Sequence, residues 1–299
     1  MADANLENIL SRYGISASAH ITQIYRSAWD VDGAFILKSN GSREELEKSV
    51  RLNRLLLSEG VPVVEYIGAA DGSPHVFAED TYWCLMKKIR GAEFDPYIGD
   101  PKQNGILLGG AVAVLHRALK NIEDQIEAPD ADFLNEFTTW IFPELQKSDL
   151  LLTDGLTDSL SRFLERDYPA LPRQPIHRDL HLSNLLFENG ALTGYLDFDM
   201  CQRNARVFDF VYLGCSQLVE NYKDEARLQA WRVIFGGIMQ GYSASLPLLE
   251  NEIKAIPALF VFDEALFTAF YVKIGQPDTA KKCADAANWL YAHIAELIG

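Results

Sequence analysis

The hydrophobic periodicity of this chain changes character once, near Gly91, and that change limits the fold more than any other feature. Before it, short runs rich in β-branched and aromatic residues alternate with turn signals. Ile21 to Arg26 and Ser27 to Val31 are two such runs, Asp32-Gly33 makes a turn, and Ala34 to Lys38 follows, which predicts an antiparallel meander. From Arg43 to Ser58 the apolar positions Leu46, Val50, Leu52, Leu55, Leu56 and Leu57 recur at helical spacing, closed by Glu59-Gly60 and Pro62. Val63 to Ile67, His75 to Ala78 and Tyr82 to Ile89 predict further strands. After Gly91 the texture is helical: Leu107, Leu108, Ala111, Val112, Leu115 and Leu119 share one face, a second stretch runs from Phe133 to Leu164 with a break near Asp154-Gly155, and helical spacing resumes from Phe208. A chain of 299 residues has room for two domains. The expectation is an α+β fold of two lobes: residues 1–88, a small sheet with one helix, and residues 89–299, larger and mainly helical.

One segment breaks the helical pattern of the second lobe. Gln174 to Leu196 holds short strand-like pieces around the polar turn His181-Leu182-Ser183-Asn184 and the turn Asn189-Gly190. With the Asp197-Phe198-Asp199 that follows, it places His177, Asp179, Asn184 and Asp197 at strand-to-turn junctions. Phosphoryl transfer needs little covalent help from a protein: a carboxylate to orient and deprotonate the attacking hydroxyl, and hard oxygen ligands to hold Mg²⁺ on the phosphates. Asp179, Asn184 and Asp197 are of the right types, since Mg²⁺ takes a few carboxylate or carbonyl oxygens and completes its octahedron with water and phosphate.

His177-x-Asp179-Leu180-x-x-x-Asn184, then Asp197-Phe198-Asp199, then Arg206-x-x-Asp209, resembles the motif set of the aminoglycoside phosphotransferase and choline kinase superfamily. The run Tyr25 to Lys38 and the stretch Gly241-Tyr242 to Pro257 look most like its bacterial branch of homoserine kinases of type II and CotS-like spore-coat kinases. The resemblance implies a protein-kinase-like fold whose N-terminal lobe (1–88) binds nucleotide and whose C-terminal lobe (89–299) carries catalysis and substrate binding, with MgATP in the cleft between them. It implies that Asp179 is the catalytic base, that Asn184 and Asp197 bind Mg²⁺, and that His177 and Asp209 support the loop. It further implies that Lys38 holds the α- and β-phosphates, and that the backbone of Met86, Lys87, Lys88 and Ile89, beside a hinge near Lys88 to Gly91, meets adenine. Three departures stand out. No acid occupies Ser49 to Arg51, where the family's partner for the lysine belongs, so Glu45 or Glu47 substitutes or the pairing is missing. No G-x-G-x-x-G precedes Lys38. Arg178 replaces the usual glycine, but Asp-Phe-Gly and Ala-Pro-Glu are absent, which favours a small acceptor over protein.

The implied activity is ATP-dependent O-phosphorylation of a small hydroxyl compound of aminoglycoside, amino-alcohol, homoserine or sugar type. The alternatives are an inactive nucleotide-binding relative and a kinase acting on protein side chains. The formal charge of −15 excludes a nucleic-acid backbone as main partner. It divides as −2 over residues 1–90 and −13 beyond, so the second lobe either draws a cationic acceptor or is simply a solvated acidic surface. Candidate substrate contacts are Asp199, His181 and the pair Asp263-Glu264. Asp199 reads equally as a third metal contact or a turn cap, and Asp263-Glu264 as a partly exposed helical face. His116, on an apolar helix face, reads as a packing residue. Cys84, Cys201, Cys215 and Cys283 are scattered, with no zinc-like spacing, as in a reducing cytoplasm. No membrane segment or leader is expected, and the oligomeric state is monomer or homodimer.

Overall fold

The computed structural model describes residues 2–16, 18–150 and 152–298. They form two compact units: residues 1–94 with 124–127 and 183–199, and the remainder. The division is therefore not a single cut near residue 88.

In the first unit, β1 (Ile21–Tyr25), β2 (Ala28–Val31), β3 (Phe35–Asn40), β6 (Thr81–Lys87) and β4 (Tyr66–Ile67) lie in that order in one antiparallel sheet, and β5 (Val76–Ala78) also pairs with β6. Alternation along the strands gives the sheet two apolar faces. Val31, Leu37, Trp83 and Leu85 pack beneath α1 (Ala2–Ser11) through Leu6, Ile9, Leu10 and Tyr13. Ile36, Cys84 and Met86 meet Leu46 and Val50 of α2 (Arg43–Ser58). Lys38 follows Ile36 by two residues and pairs in register with Cys84, so it belongs to the α2 face. Among the described residues the first unit thus has two α-helices, not one. The spacing of Leu6, Ile9, Leu10 and Tyr13 is that of a buried helical stripe, and Gly14 at φ 75° ends it.

The same unit takes up the hairpin of β8 (Leu185–Glu188) and β9 (Ala191–Tyr195). Phe187 and Ala92 exchange backbone hydrogen bonds of 2.9 and 3.0 Å, and Tyr195 N–H donates to Pro62 at 2.9 Å. Gly91 makes this approach possible. Its φ is 128°, and a Cβ there would stand 3.0 Å from the Phe187 carbonyl oxygen.

The second unit is built on α3 (Pro101–Asn121), α7 (Val207–Leu218), α8 (Glu225–Ser243), α9 (Glu250–Lys273) and α10 (Pro277–Ile298). Shorter helices α4 (Phe133–Glu136), α5 (Phe142–Lys147) and α6 (Leu156–Arg166) accompany them, α4 and α5 being joined by one π-helical stretch, Phe137–Ile141. A two-stranded ribbon pairs β7 (Arg173–Ile176) with β10 (Gln202–Ala205). Among the described residues α9 alone is long and apolar enough to cross a bilayer, and 67% of that stretch is buried as a core helix.

The crossing of α3 and α8 is set by glycine. Gly105 and Gly109 of α3 face Gly237 and Gly241 of α8, and a Cβ at Gly109 or Gly241 would fall against the carbonyl oxygen of Ile238 or Ile106. Backbone meets backbone there, and no side chain can yield. Gly109→Ala is expected to cost more than about 2 kcal/mol of unfolding free energy, as overpacking does. Gly110→Ala, one residue along and with nothing described within 4 Å of the new methyl, should gain up to about 1 kcal/mol from helix propensity. Urea denaturation of the two variants side by side checks both.

Candidate active site

The ribbon β7–β10 delivers the chain to His177 and Arg178, and α7 supplies what holds them there. Asp209 is fully buried. Its Oδ2 accepts the His177 N–H at 2.7 Å and its Oδ1 the Arg178 N–H at 2.8 Å. A buried carboxylate can only accept, so His116 Nε2, 2.9 Å from Oδ2, donates as well. Burial pushes the Asp209 carboxyl up, but the His116 hydrogen bond and the neighbouring imidazoles and amide outweigh it and hold the group below its ordinary value. His116 is itself wholly buried, and its Nδ1 lies 2.9 Å from the Tyr242 hydroxyl. The residue that reads from sequence as packing is therefore also polar support. The signal was available: a lone polar side chain on the apolar stripe of a helix must find partners.

Arg178 has φ 75°, the left-handed region that favours glycine. Its side chain compensates for that cost. The guanidinium lies 4.8 Å from the ring of Phe133 and 4.5 Å from that of Phe208, and Nη2 is 3.3 Å from Glu136 Oε2. Burial raises the Glu136 carboxyl, and the guanidinium only partly opposes it. Beyond this anchored pair comes Asp179, whose side chain is 35% exposed. Tyr212 of α7 donates its hydroxyl to Asp179 Oδ1 at 2.8 Å, and His181 Nε2 stands 3.8 Å from Oδ2.

The first unit carries the other polar group of residues. Asn184 ends the 3₁₀ turn Leu182–Asn184 and is buried, and its carbonyl accepts the Leu196 N–H at 3.0 Å. This places Asn184 beside Leu196-Asp197 at the end of the hairpin away from its turn, with Asp197 at φ 58°. One carboxamide and one carboxylate fit Mg²⁺ by donor chemistry. Lys38 Nζ lies 3.4 Å from Asp199 Oδ2. The acid on Lys38 is thus neither Glu45 nor Glu47. Glu47 Oε1 takes Arg43 Nε at 2.8 Å and His75 Nε2 at 3.3 Å, and Ser49 bonds the Tyr66 hydroxyl.

Of the segment expected to meet adenine, Met86 is buried in β6. Lys87 and Lys88 spend their amides on the Glu65 and Ala34 carbonyls at 2.9 Å each, and their ammonium groups on Glu65 and Asp30. The Ile89 side chain packs where a Cβ on Gly194 would stand.

Asp263 and Glu264 do not form an exposed helical face. They are 1% and 4% exposed, among Cys215, Cys283 and α7. The Cys215 thiol lies 3.8 Å from Glu264 Oε1, and Asp263 Oδ1 has no hydrogen-bond partner among the described residues. Burial is the main cause that pushes Asp263 up to about 7 and Glu264 up to about 8, so both hold protons through the mildly acidic range.

Two outcomes follow from these placements. Arg178→Gly and Arg178→Ala both lose the guanidinium's ring and carboxylate contacts, and both should destabilise the fold. The glycine variant should remain more stable than the alanine by about 1 kcal/mol, because only alanine keeps the left-handed strain. Chemical denaturation of the pair measures that difference. The carboxyls of Asp263 and Glu264 titrate near 4 when unfolded but at about 7 and about 8 when folded. Their contribution to stability is therefore complete below about pH 4 and is lost as pH rises through about 7 to 8. Asp263→Asn combined with Glu264→Gln removes that loss, so between thermal melts at about pH 5 and about pH 8.5 the parent should fall by about 2 °C or more relative to the variant.

A family model described as the phosphotransferase enzyme family matches residues 15–244. The homoserine kinase of Polaromonas naphthalenivorans is 27% identical over 224 residues, spanning 72% of this chain and 67% of that one. That of Neisseria meningitidis serogroup B is 26% identical over 222 residues, with the same coverage of 72% and 67%. Among solved structures, an aminoglycoside phosphotransferase from Alicyclobacillus acidocaldarius superposes with a TM-score of 0.72 at 15% identity, covering 97% of this chain and 94% of its own. A microcompartment-associated aminopropanol kinase superposes at 0.68 and 18% identity, covering 98% of each. These structures carry the kinase-like fold, and the match to the family model runs from the first strands of the sheet through α8. The chain belongs to the phosphotransferase enzyme family and is a small-molecule hydroxyl kinase.

Proposed function

We propose that this protein transfers the γ-phosphoryl group of ATP to the hydroxyl of a small amine-bearing alcohol, with homoserine-like amino acids and amino alcohols as the first acceptors to test. The observation that carries the reading is Asp179: a carboxylate open to solvent at the end of a loop whose two preceding amides are fixed on a buried acid. Such a group can align an acceptor hydroxyl and take its proton as the oxygen attacks phosphorus. Lys38 would hold phosphate oxygens, exchanging part of its contact with Asp199 for them. Mg²⁺, held by Asn184 and Asp197, would supply neutralisation of phosphate charge. His181 and Asp199 are the proposed acceptor contacts. The named activity of the curated relatives and the net charge of −13 beyond residue 90 both support an acceptor with an ammonium group. The loss of catalysis suggested by the missing acid near Ser49 finds less support now that Lys38 has Asp199.

A panel pairing homoserine, aminopropanol and an aminoglycoside with their deaminated analogues, read by ADP release, tests the acceptor class, and equal turnover of amines and analogues would overturn it. Asp179→Asn should lower kcat by about 10²-fold or more while nucleotide affinity changes little, as loss of a general base does. Turnover within tenfold of the parent would remove Asp179 from its role.

A further inference from the structure

We propose that Cys215, Asp263 and Glu264, together with Cys283, form a structural site for a thiophilic divalent cation, Zn²⁺ in the first instance, that ties α7, α9 and α10 together inside the second unit. The transfer reaction proposed above uses none of these four residues.

Cys215 comes from α7, Asp263 and Glu264 from α9, and Cys283 from α10. One ligand atom each from Cys215, Asp263 and Glu264 lies within 4.8 Å of the other two, and all three residues are buried. Cys215 Sγ is 3.8 Å from Glu264 Oε1, and the half-buried Cys283 bonds the same carboxyl from the other helix. A tetrahedral Zn²⁺ with sulfur at about 2.3 Å and oxygen at about 2.1 Å sets neighbouring ligand atoms about 3.5 Å apart. Atoms at most 4.8 Å apart therefore need to close by little more than about 1 Å.

The hydrogen bonds of the cluster do not account for it. Carboxyls buried between helices ordinarily find strong donors. Here the donors are two thiols, which are weak ones. The single hydrogen of Cys215 lies within reach of both acids and can serve one of them. Asp263 Oδ1, on a residue 1% exposed, has no hydrogen-bond partner among the described residues. A cation would satisfy that oxygen and both thiols at once. Two sulfur ligands select Zn²⁺ over Mg²⁺, which prefers oxygen ligands and water. The Arg178 guanidinium, which favours the charged form of Asp263, offsets part of the negative charge of two thiolates and two carboxylates. Each ligand gives its proton to solvent as it coordinates, so the pH response described above belongs to the metal-free protein. Local spacing in the sequence does not announce such a site, because its ligands come from three helices.

Titration of chelator-treated protein with Co²⁺, a coloured ion that takes the same ligands as Zn²⁺, tests this. The expected result is a sulfur-to-cobalt charge-transfer band that Zn²⁺ abolishes and Mg²⁺ does not. Binding of Co²⁺ at Asn184 and Asp197 would give no such band, since neither offers sulfur. Cys215→Ser and Asp263→Asn should each weaken the cobalt binding read from that band by about 100-fold or more, and Cys283→Ser should diminish the band. Cys84→Ser and Cys201→Ser should leave it unchanged. Zn²⁺ at about 100 times its dissociation constant should raise the Tm of the parent by about 5 °C or more and leave that of Cys215→Ser in place. The inference is overturned by a parent that shows no band, an outcome that needs no variant to fold, or by a band that keeps its strength and affinity in Cys215→Ser, Asp263→Asn or Cys283→Ser. No arm of the experiment reads phosphoryl transfer, so its failure leaves the reading of Asp179 standing.

Discussion

A single buried carboxylate, Asp209, organises the loop at His177 and Arg178. Leaving Asp209 charged without partners would cost several kcal/mol, and three donors remove that penalty. Two of the three are the amides of His177 and Arg178, so the shape of the loop follows from satisfying the acid. The third, His116, ties the same carboxylate to α3, whose place against α8 is set by backbone contact at four glycines. A helix crossing without side chains between the helices thus fixes an imidazole, the imidazole an acid, and the acid the loop.

Arg178 shows how such a loop tolerates a residue its backbone disfavours. The left-handed conformation alone calls for glycine, and arginine there is stabilised by two aromatic rings and Glu136. The backbone amide serves Asp209 while the guanidinium joins α4 to α7, so one residue links loop geometry to helix packing. The polar residues of the first unit follow another logic. Lys38 is 35% exposed and Asp199 55%, so their ion pair is partly screened by solvent.

Much of this was legible in the sequence, and the limits have physical causes. The meander, α2, and the helices after Phe208 follow from period and turn chemistry, and the strongest motif, His177 to Asp199, lies where polar residues interrupt both periods. The helix α1 carries its stripe openly at Leu6, Ile9, Leu10 and Tyr13, but a short N-terminal segment gives few turns to count. The strand β10, Gln202–Ala205, has no β-rich composition and exists because β7 pairs with it. Pairings made by long-range contact had no local signal for the partner: Tyr212 with Asp179 spans 33 positions and Asp199 with Lys38 spans 161, and His116 signalled a need for partners but not that one is Asp209, 93 positions away. The opposite error was to give Asp263-Glu264 a surface, since charged pairs are so seldom buried.

The hairpin β8–β9 has a consequence for how the chain comes to be folded. Residues 183–199 are made long after the sheet they join, and the chain between is mostly the second unit. During synthesis the strand-like edges at Pro62-Val63 and Ala92 therefore wait for partners while α3 to α6 emerge, and the first unit is incomplete until Asp199 has left the ribosome. No fragment that ends at Phe94 contains that unit, and a stand-alone version would need the hairpin grafted back onto it.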